Sequence, residues 1–451
     1  MCLALASIST RFAGAAWAWF LLAGLASLWI TRASAHGTPP NPQAHELART
    51  WLIFTAVALA LKTVPMLYWH DPWAERHAEL RLFLGAVGLY GVTRLQGLSQ
   101  KAQQYLTLAG SIYCTAGLGI ILHYGQFGTP TNSIPWAAGM AMVSCWLLGI
   151  FYTRAACWTR WLALAGSIAG LLAVLASEKR GAYALLIVLP CMTWFLWRQQ
   201  ANNPAKPMKT GKSLAIYVAC IVVGAASLWS LRSTPLIQRP TNAITIAIQE
   251  LKQSHESLSA NYHSSVGARL YLWKQSTQAA TKSLWIGYGH DQRKALLQKW
   301  AHDTHLADPL IFGHVHNDYL HALLDHGLWG LASFLSYAAG LIVLIVKLAR
   351  QQSWPSAATL GGILIMHLTT AISNVNFAHN YYPTLLSLMI GITLWSCIDP
   401  VKNCSGVIFE GNTNEHTDGR RHQTLDGQAQ SSLGHGNHSR QNDSGTGQPI
   451  V

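Results

Sequence analysis

A histidine, an amide and a carboxylate follow one another at His316-Asn317-Asp318, where a long polar segment runs into an apolar helix. Such groups are costly at a membrane–water boundary unless they are paired or used. An unperturbed imidazole titrates near neutral pH and accepts a proton from a hydroxyl, which makes His316 a candidate general base. Asn317 is a candidate to orient that base or its acceptor, with Tyr319 in support. A second group, Glu178-Lys179-Arg180-Gly181, fills a very short turn between two apolar runs. It is either a charged cap that snorkels to the interface or an anion site. Arg180 offers a planar fork for phosphate oxygens and begins a helix whose N-terminal amides favour negative charge, with Lys179 beside it. A third group places Arg269 in Gly267–Trp273, ahead of a Gly287-Tyr288-Gly289 turn that leads into His290 and Arg293. Alone, an arginine on an amphipathic helix is a solvated face, and a lone G-x-G says little. The spacings of His314 and His316, and of His321 and His326, also suit zinc. The expectation is nevertheless no metal, and no carboxylate cluster suits magnesium. Lys62 lies inside an apolar run, where it could meet a phosphate or a neighbouring helix, or snorkel.

The elements that must carry these groups are membrane helices. Only 11% of the 451 residues are charged and 51% are hydrophobic, against about 25% charged in soluble domains. Apolar runs long enough to span appear near 12–31, 50–68, 80–95, 105–124, 133–152, 158–176, 182–197, 213–231, 325–346, 356–373 and 382–398. The fold class expected is all-α, a polytopic transmembrane bundle of about 11–12 spans with a long, partly helical insertion. The first run ends near Ala33-Ser34-Ala35, which resembles a cleavage site, but a retained helix is expected. Nineteen tryptophans fit many interfaces. The formal charge of +13 does not indicate nucleic acid, because the basic residues sit in short loops between apolar runs. The eight cysteines form no C-x-x-C pair and read as small buried hydrophobes.

Basic loops set the orientation. Residues 94–101, 154–160, 198–212 and 347–350 are expected in the cytoplasm, and 178–181, 232–324 and 374–382 in the periplasm. The organisation is then membrane helices over 1–231, a periplasmic insertion over 232–324, membrane helices over 325–400, and a disordered cytoplasmic tail over 401–451. Eleven spans with that tail inside would put the N-terminus outside, whereas Arg11 argues for inside. A missed span before about residue 100 is the preferred explanation.

His316-Asn317, nine residues, then Gly327-x-x-Gly330 resembles the signature of the O-antigen ligase and polymerase superfamily. Arg180-Gly181 resembles its Arg-Gly pair, with Lys179 where serine is common. Arg269-x-x-x-Trp273 and Gly287-Tyr288-Gly289 resemble its arginine helix and glycine turn. The resemblance implies an integral membrane glycosyltransferase acting on undecaprenyl-pyrophosphate-linked glycan in the inner membrane. It implies a periplasmic site, a lipid A-core acceptor, inverting metal-independent chemistry and no cofactor. Catalysis would fall to His316 and Asn317. Pyrophosphate would bind to Arg180, Arg269 and Arg293, supported by Lys179, His290 and Tyr319. Within the superfamily the ligase is favoured over the polymerase and a protein O-oligosaccharyltransferase. A transporter is the alternative of another class, though the matched broken helices it would need are not visible in the sequence.

Overall fold

Every apolar run, apart from 213–231, is a helix in the computed structural model, which describes residues 1–33, 42–95, 98–153, 155–201, 265–303 and 313–397. The excepted run, much of the insertion and the tail lie outside those residues. The helices are α1 Cys2–Leu5, α2 Thr10–Ala33, α3 Pro42–Trp69, α4 His77–Val92, α5 Gln100–Tyr124, α6 Ser133–Phe151, α7 Cys157–Ala176 and α8 Leu185–Ala201. They continue with α9 Ser265–Lys282, α10 Gly289–Asp303, α11 Asp318–Arg350, α12 Trp354–Ser373 and α13 Tyr381–Ser396. Among the described residues there is no strand. Among the described residues, eight helices are long and apolar enough to cross a membrane. The chain is a polytopic all-α membrane protein.

Two helices form the middle of the bundle. Nearly every side chain of α6 and α13 is buried. Apolarity all round suits lipid or a helix neighbour alike, so it is the burial of these side chains that places α6 and α13 among other helices. At 16 residues, α13 is shorter than the ~20 needed to span alone. The packing of α2 on α4 shows how small residues set direction. Trp17 lies against Gly85, Leu21 against Gly88, and Gly24 against Gly88 and Gly91, so the two helices run parallel. A Cβ on Gly24 would stand 2.2 Å from the Gly88 carbonyl oxygen, so this crossing tolerates no side chain. Ser27 donates to the Gly91 carbonyl at 2.8 Å. By contrast α3 runs antiparallel to α11: Ser333 donates to the Ala58 carbonyl, and Lys347 donates to Glu46 at 2.6 Å.

These directions correct the expectation of a missed span. Before residue 95 the only other described helix is α1, with four residues. α2 starts at the same end of the bundle as α4 and α13, because Trp17, Arg81 and Ser387 lie together near their first turns. The chain therefore enters α2 from the face that carries the 178–181 turn, and among the described residues before 95 there is no further span. Arg94, Lys101, Arg160 and Arg350 lie at helix ends on the other face.

The element that positions the candidate site is α11. Its backbone breaks at His326 (φ −131°, ψ 19°) and Gly327 (φ 62°, ψ −147°). Glycines three apart at the head of a membrane span commonly let helices pack closely. Gly327 instead takes a left-handed conformation that side chains resist. The break frees backbone groups, and the α9–α10 turn satisfies them. The Leu328 amide donates to the Leu284 carbonyl at 2.8 Å, and the Tyr288 amide donates to the Leu324 carbonyl at 2.9 Å. Gly287 (φ +70°) faces the break so closely that a Cβ would stand 2.5 Å from the Asp325 carbonyl oxygen. Around this clasp Leu272, Leu297, Trp300, Val315 and Leu324 form a small apolar core outside the bundle.

Gly327→Ala combines a left-handed φ with a Cβ 2.4 Å from the Trp285 carbonyl. It should cost about 3 kcal/mol or more. Gly14→Ala meets nothing within 4 Å and should change stability by about 0.5 kcal/mol or less. Thermal unfolding in detergent compares the two. Equal midpoints would show that the break does not need its glycine.

Candidate active site

The 177–184 turn is built to display Arg180. Glu178 takes a left-handed φ of 58°, and a short 3-10 turn runs from Arg180 to Ala182. Gly181 presses its backbone on the end of α12, where a Cβ would stand 2.0 Å from the Ser373 hydroxyl. Arg180 is left exposed beside that contact. Arg269 reaches the same place from α9. Burial, then the neighbouring Arg180 charge, hold its guanidinium below the usual range. Lys179 is lowered by burial, opposed by Glu178, and again feels Arg269. Three cations named from sequence thus converge from two separate elements.

The 313–317 loop delivers the histidines. Trp273, one turn beyond Arg269, donates its indole N–H to the Val315 carbonyl at 3.1 Å and pins the loop to α9. His316 sits half-buried with φ 55°, an outlier for a residue with a Cβ. Its amide donates to His314 Nδ1 at 3.2 Å, and the two rings meet edge to face with centroids 4.1 Å apart. That bond makes His314 Nδ1 an acceptor, so the neutral ring carries its proton on Nε2. His314 is pushed down to about 3, by burial first and then by His316, His379, Arg269 and Arg293. It is a neutral imidazole across the physiological range.

Other residues named from sequence hold the site rather than face it. Asn317 is the N-cap of α11, and its side-chain oxygen accepts from the Leu320 amide at 3.0 Å. Tyr319 donates its hydroxyl to the Leu368 carbonyl at 3.0 Å, tying α11 to α12. Arg293 is 6% exposed. Its Nε donates to Asp325, and an Nη lies 3.1 Å from His290 Nδ1. The His290 amide donates to Asp71 at 2.9 Å, and its ring lies 3.3 Å from Glu75. Of the histidines weighed for zinc, His326 meets Asp71 at 2.7 Å and His321 meets Asp325 at 3.5 Å. Among the described residues no group of three metal-ligating side chains is arranged around an ion.

Several contributors were missed in the sequence. Asp71 fixes both the His326 ring and the His290 amide at the head of α10. Burial would raise its carboxyl, but the bonds from His326 and the His290 amide win and hold it below the usual range. Asp318 accepts from the Asn376 amide at 2.9 Å and seats the 374–380 loop beside His314. His379 of that loop lies 6.3 Å from His314. The available signal was scarcity. With only 18 acidic residues in the chain, a carboxylate at the edge of an apolar run is as costly as the histidines that drew notice. Lys62, left open in the sequence, lies on α3 within electrostatic reach of Asp318, Asp325, His321 and His326.

Comparison with known proteins now bears on this arrangement. Residues 165–335 match the O-Antigen ligase family. That segment holds Arg180, Arg269, Arg293, His316, Gly327 and Gly330, while Lys62 and Asp71 lie outside it. A protein of Haemophilus influenzae described as uncharacterized is 23% identical over 239 residues, 50% of this chain. The chain spans 56% of that relative's length. The ligase-type match supports the ligase and polymerase superfamily and does not separate its members.

Two measurements follow. Asp325→Asn leaves Arg293 buried without its counter-charge and should cost about 3–5 kcal/mol, read as a lower unfolding midpoint. His314 binds a proton near pH 6.5 when unfolded but only near 3 when folded. Its contribution is therefore intact above pH 6.5 and is lost as pH falls from 6.5 towards 3. His314→Gln should flatten the stability profile across that window, and an unchanged slope would clear His314 of it.

Proposed function

We propose that this protein is a membrane glycosyltransferase that moves a glycan from a polyprenyl pyrophosphate carrier to an acceptor hydroxyl. The observation that carries this reading is the convergence of Arg180, Arg269 and Lys179 beside His314 and His316. Cations gathered at a half-buried site are costly unless an anion joins them. A pyrophosphate leaving group carries about two to three charges, and arginine forks match its oxygens. The ligase-type match over this segment supports the same chemistry.

In this reading His316 accepts the proton of the acceptor hydroxyl as its oxygen bonds to the anomeric carbon. The bond from that carbon to the pyrophosphate oxygen breaks, and its electron pair stays on the pyrophosphate between Arg180 and Arg269. Entry opposite to the leaving group inverts the anomeric centre. No step calls for a metal. Asn317 and Arg293 position the reaction through the cap of α11 and the clasp at its break. Within the superfamily we favour the O-antigen ligase, with undecaprenyl-pyrophosphate-linked glycan as donor and the lipid A-core as acceptor. The site then faces the periplasm from the inner membrane.

His316→Ala should lower transfer by about 10²–10⁴-fold with the protein still inserted. Arg180→Lys and Arg269→Lys should each impair it, because the charge remains but the fork is lost. The readout is a lipopolysaccharide gel of a deletion strain carrying each variant. A ligase defect leaves polymer unattached to core, whereas a polymerase defect leaves core bearing one repeat unit. Wild-type ladders from His316→Ala would remove it from the mechanism. Inhibition by EDTA, reversed by a single metal ion, would end the metal-free reading.

A further inference from the structure

A second concentration of positive charge lies on the same face, across the 374–380 loop from His314. The first turns of α2, α4 and α13 enclose a cavity of about 260 Å³. Arg11, Arg81, Asn380, Tyr381, Thr384 and Trp17 line it, and no carboxylate does. Arg81 is held in place by donating to the Asn380 side-chain oxygen at 2.8 Å and to the His77 carbonyl at 3.4 Å. Both partners are neutral, so its charge stays uncompensated. Arg11 stands exposed at the rim. All three helices point their N-terminal ends here, and each end carries roughly half a positive charge. At about 30 Å³ per water, the space takes a phosphate group with part of its hydration shell. Trp17 and the apolar surface of α2 continue from the cavity along the membrane-facing side of the bundle.

Basic residues are disfavoured at helix ends on the outer face. Two arginines there, aimed at one unfilled space, need a reason that neither the main cation group nor the 313–317 loop supplies. We propose that this cavity is a second anion site, which takes the phosphate group of a membrane lipid. Arg81 provides the held fork and Arg11 closes over the opposite side, with Tyr381 and Thr384 forming the floor. The inference uses the direction of the helices and not the transfer reaction, so either can fail without the other.

The test is binding to the purified full-length chain in detergent, with dihexanoyl phosphatidic acid, dihexanoylglycerol and inorganic phosphate as probes. Phosphatidic acid should bind at least tenfold tighter than the phosphate-free glyceride. Arg11→Gln should weaken it about fivefold, and the R11Q/R81Q double variant tenfold or more. Arg11 is exposed, so the single variant keeps the test valid if the double variant misfolds. Inorganic phosphate binding as tightly as phosphatidic acid, with the same losses, would assign the anion site to a soluble phosphate. Equal binding of the glyceride would overturn the proposal. So would undiminished affinity in both variants, which would place the phosphate at Arg180 and Arg269.

Discussion

The break in α11 is the constraint on which the rest of the site depends. A helix that bends sharply near a membrane surface leaves amides and carbonyls that must find partners in the protein. Here the partners come from Leu284 and Tyr288. The left-handed turn at Gly287 and the left-handed residue at Gly327 fit against each other because neither has a side chain. The consequence reaches back along the chain. There α9 and α10 are docked on α11, next to Arg269 and the loop that Trp273 holds. Just before the break, the first two turns of α11 are set apart from the rest of the span, and Asn317 caps them.

Charge is sorted around that clasp. On one side basic groups meet carboxylates: Arg293 has Asp325, the His326 ring has Asp71, and Lys62 is within reach of Asp318 and Asp325. These pairs hold elements together, and their stabilisation depends on both members staying in place. On the other side Arg180, Arg269 and Lys179 press on one another, with Glu178 in the same turn. The first group reads as scaffold and the second as a place for a charged visitor. Arg293 shows why the distinction needs coordinates. Its sequence neighbourhood is as suggestive as that of Arg269, yet its fork is already occupied.

The fold class was legible because hydropathy is a property of the chain that tertiary contacts barely alter. The helices fall on the apolar runs, from α2 at 12–31 to α13 at 382–398. Arg180, Arg269 and His316 were legible because each is an expensive residue next to a glycine or an apolar run. Three things were not. The break at Gly327 looks in sequence like a packing glycine, since only the partner at Gly287 reveals the left-handed need. Asp71 lies 219 positions from the amide it fixes, and no local pattern records that distance. Parity was misjudged because one basic residue, Arg11, was weighed as a cytoplasmic marker, although it lies at the end where α2, α4 and α13 all begin.

In the proposed chemistry a neutral His314 ring lies beside the base His316. Burial first, then His316, His379, Arg269 and Arg293, hold His314 unprotonated. A bound donor brings about two to three negative charges to the cation group, which favours a proton on the base as the acceptor hydroxyl gives it up. The left-handed φ at His316 belongs to the turn in which its amide donates to His314 Nδ1 and the two rings meet edge to face. Base, leaving-group site and the break that sets their separation are therefore one coupled arrangement, and the Gly287–Gly327 contact is where a single methyl group would disturb all three.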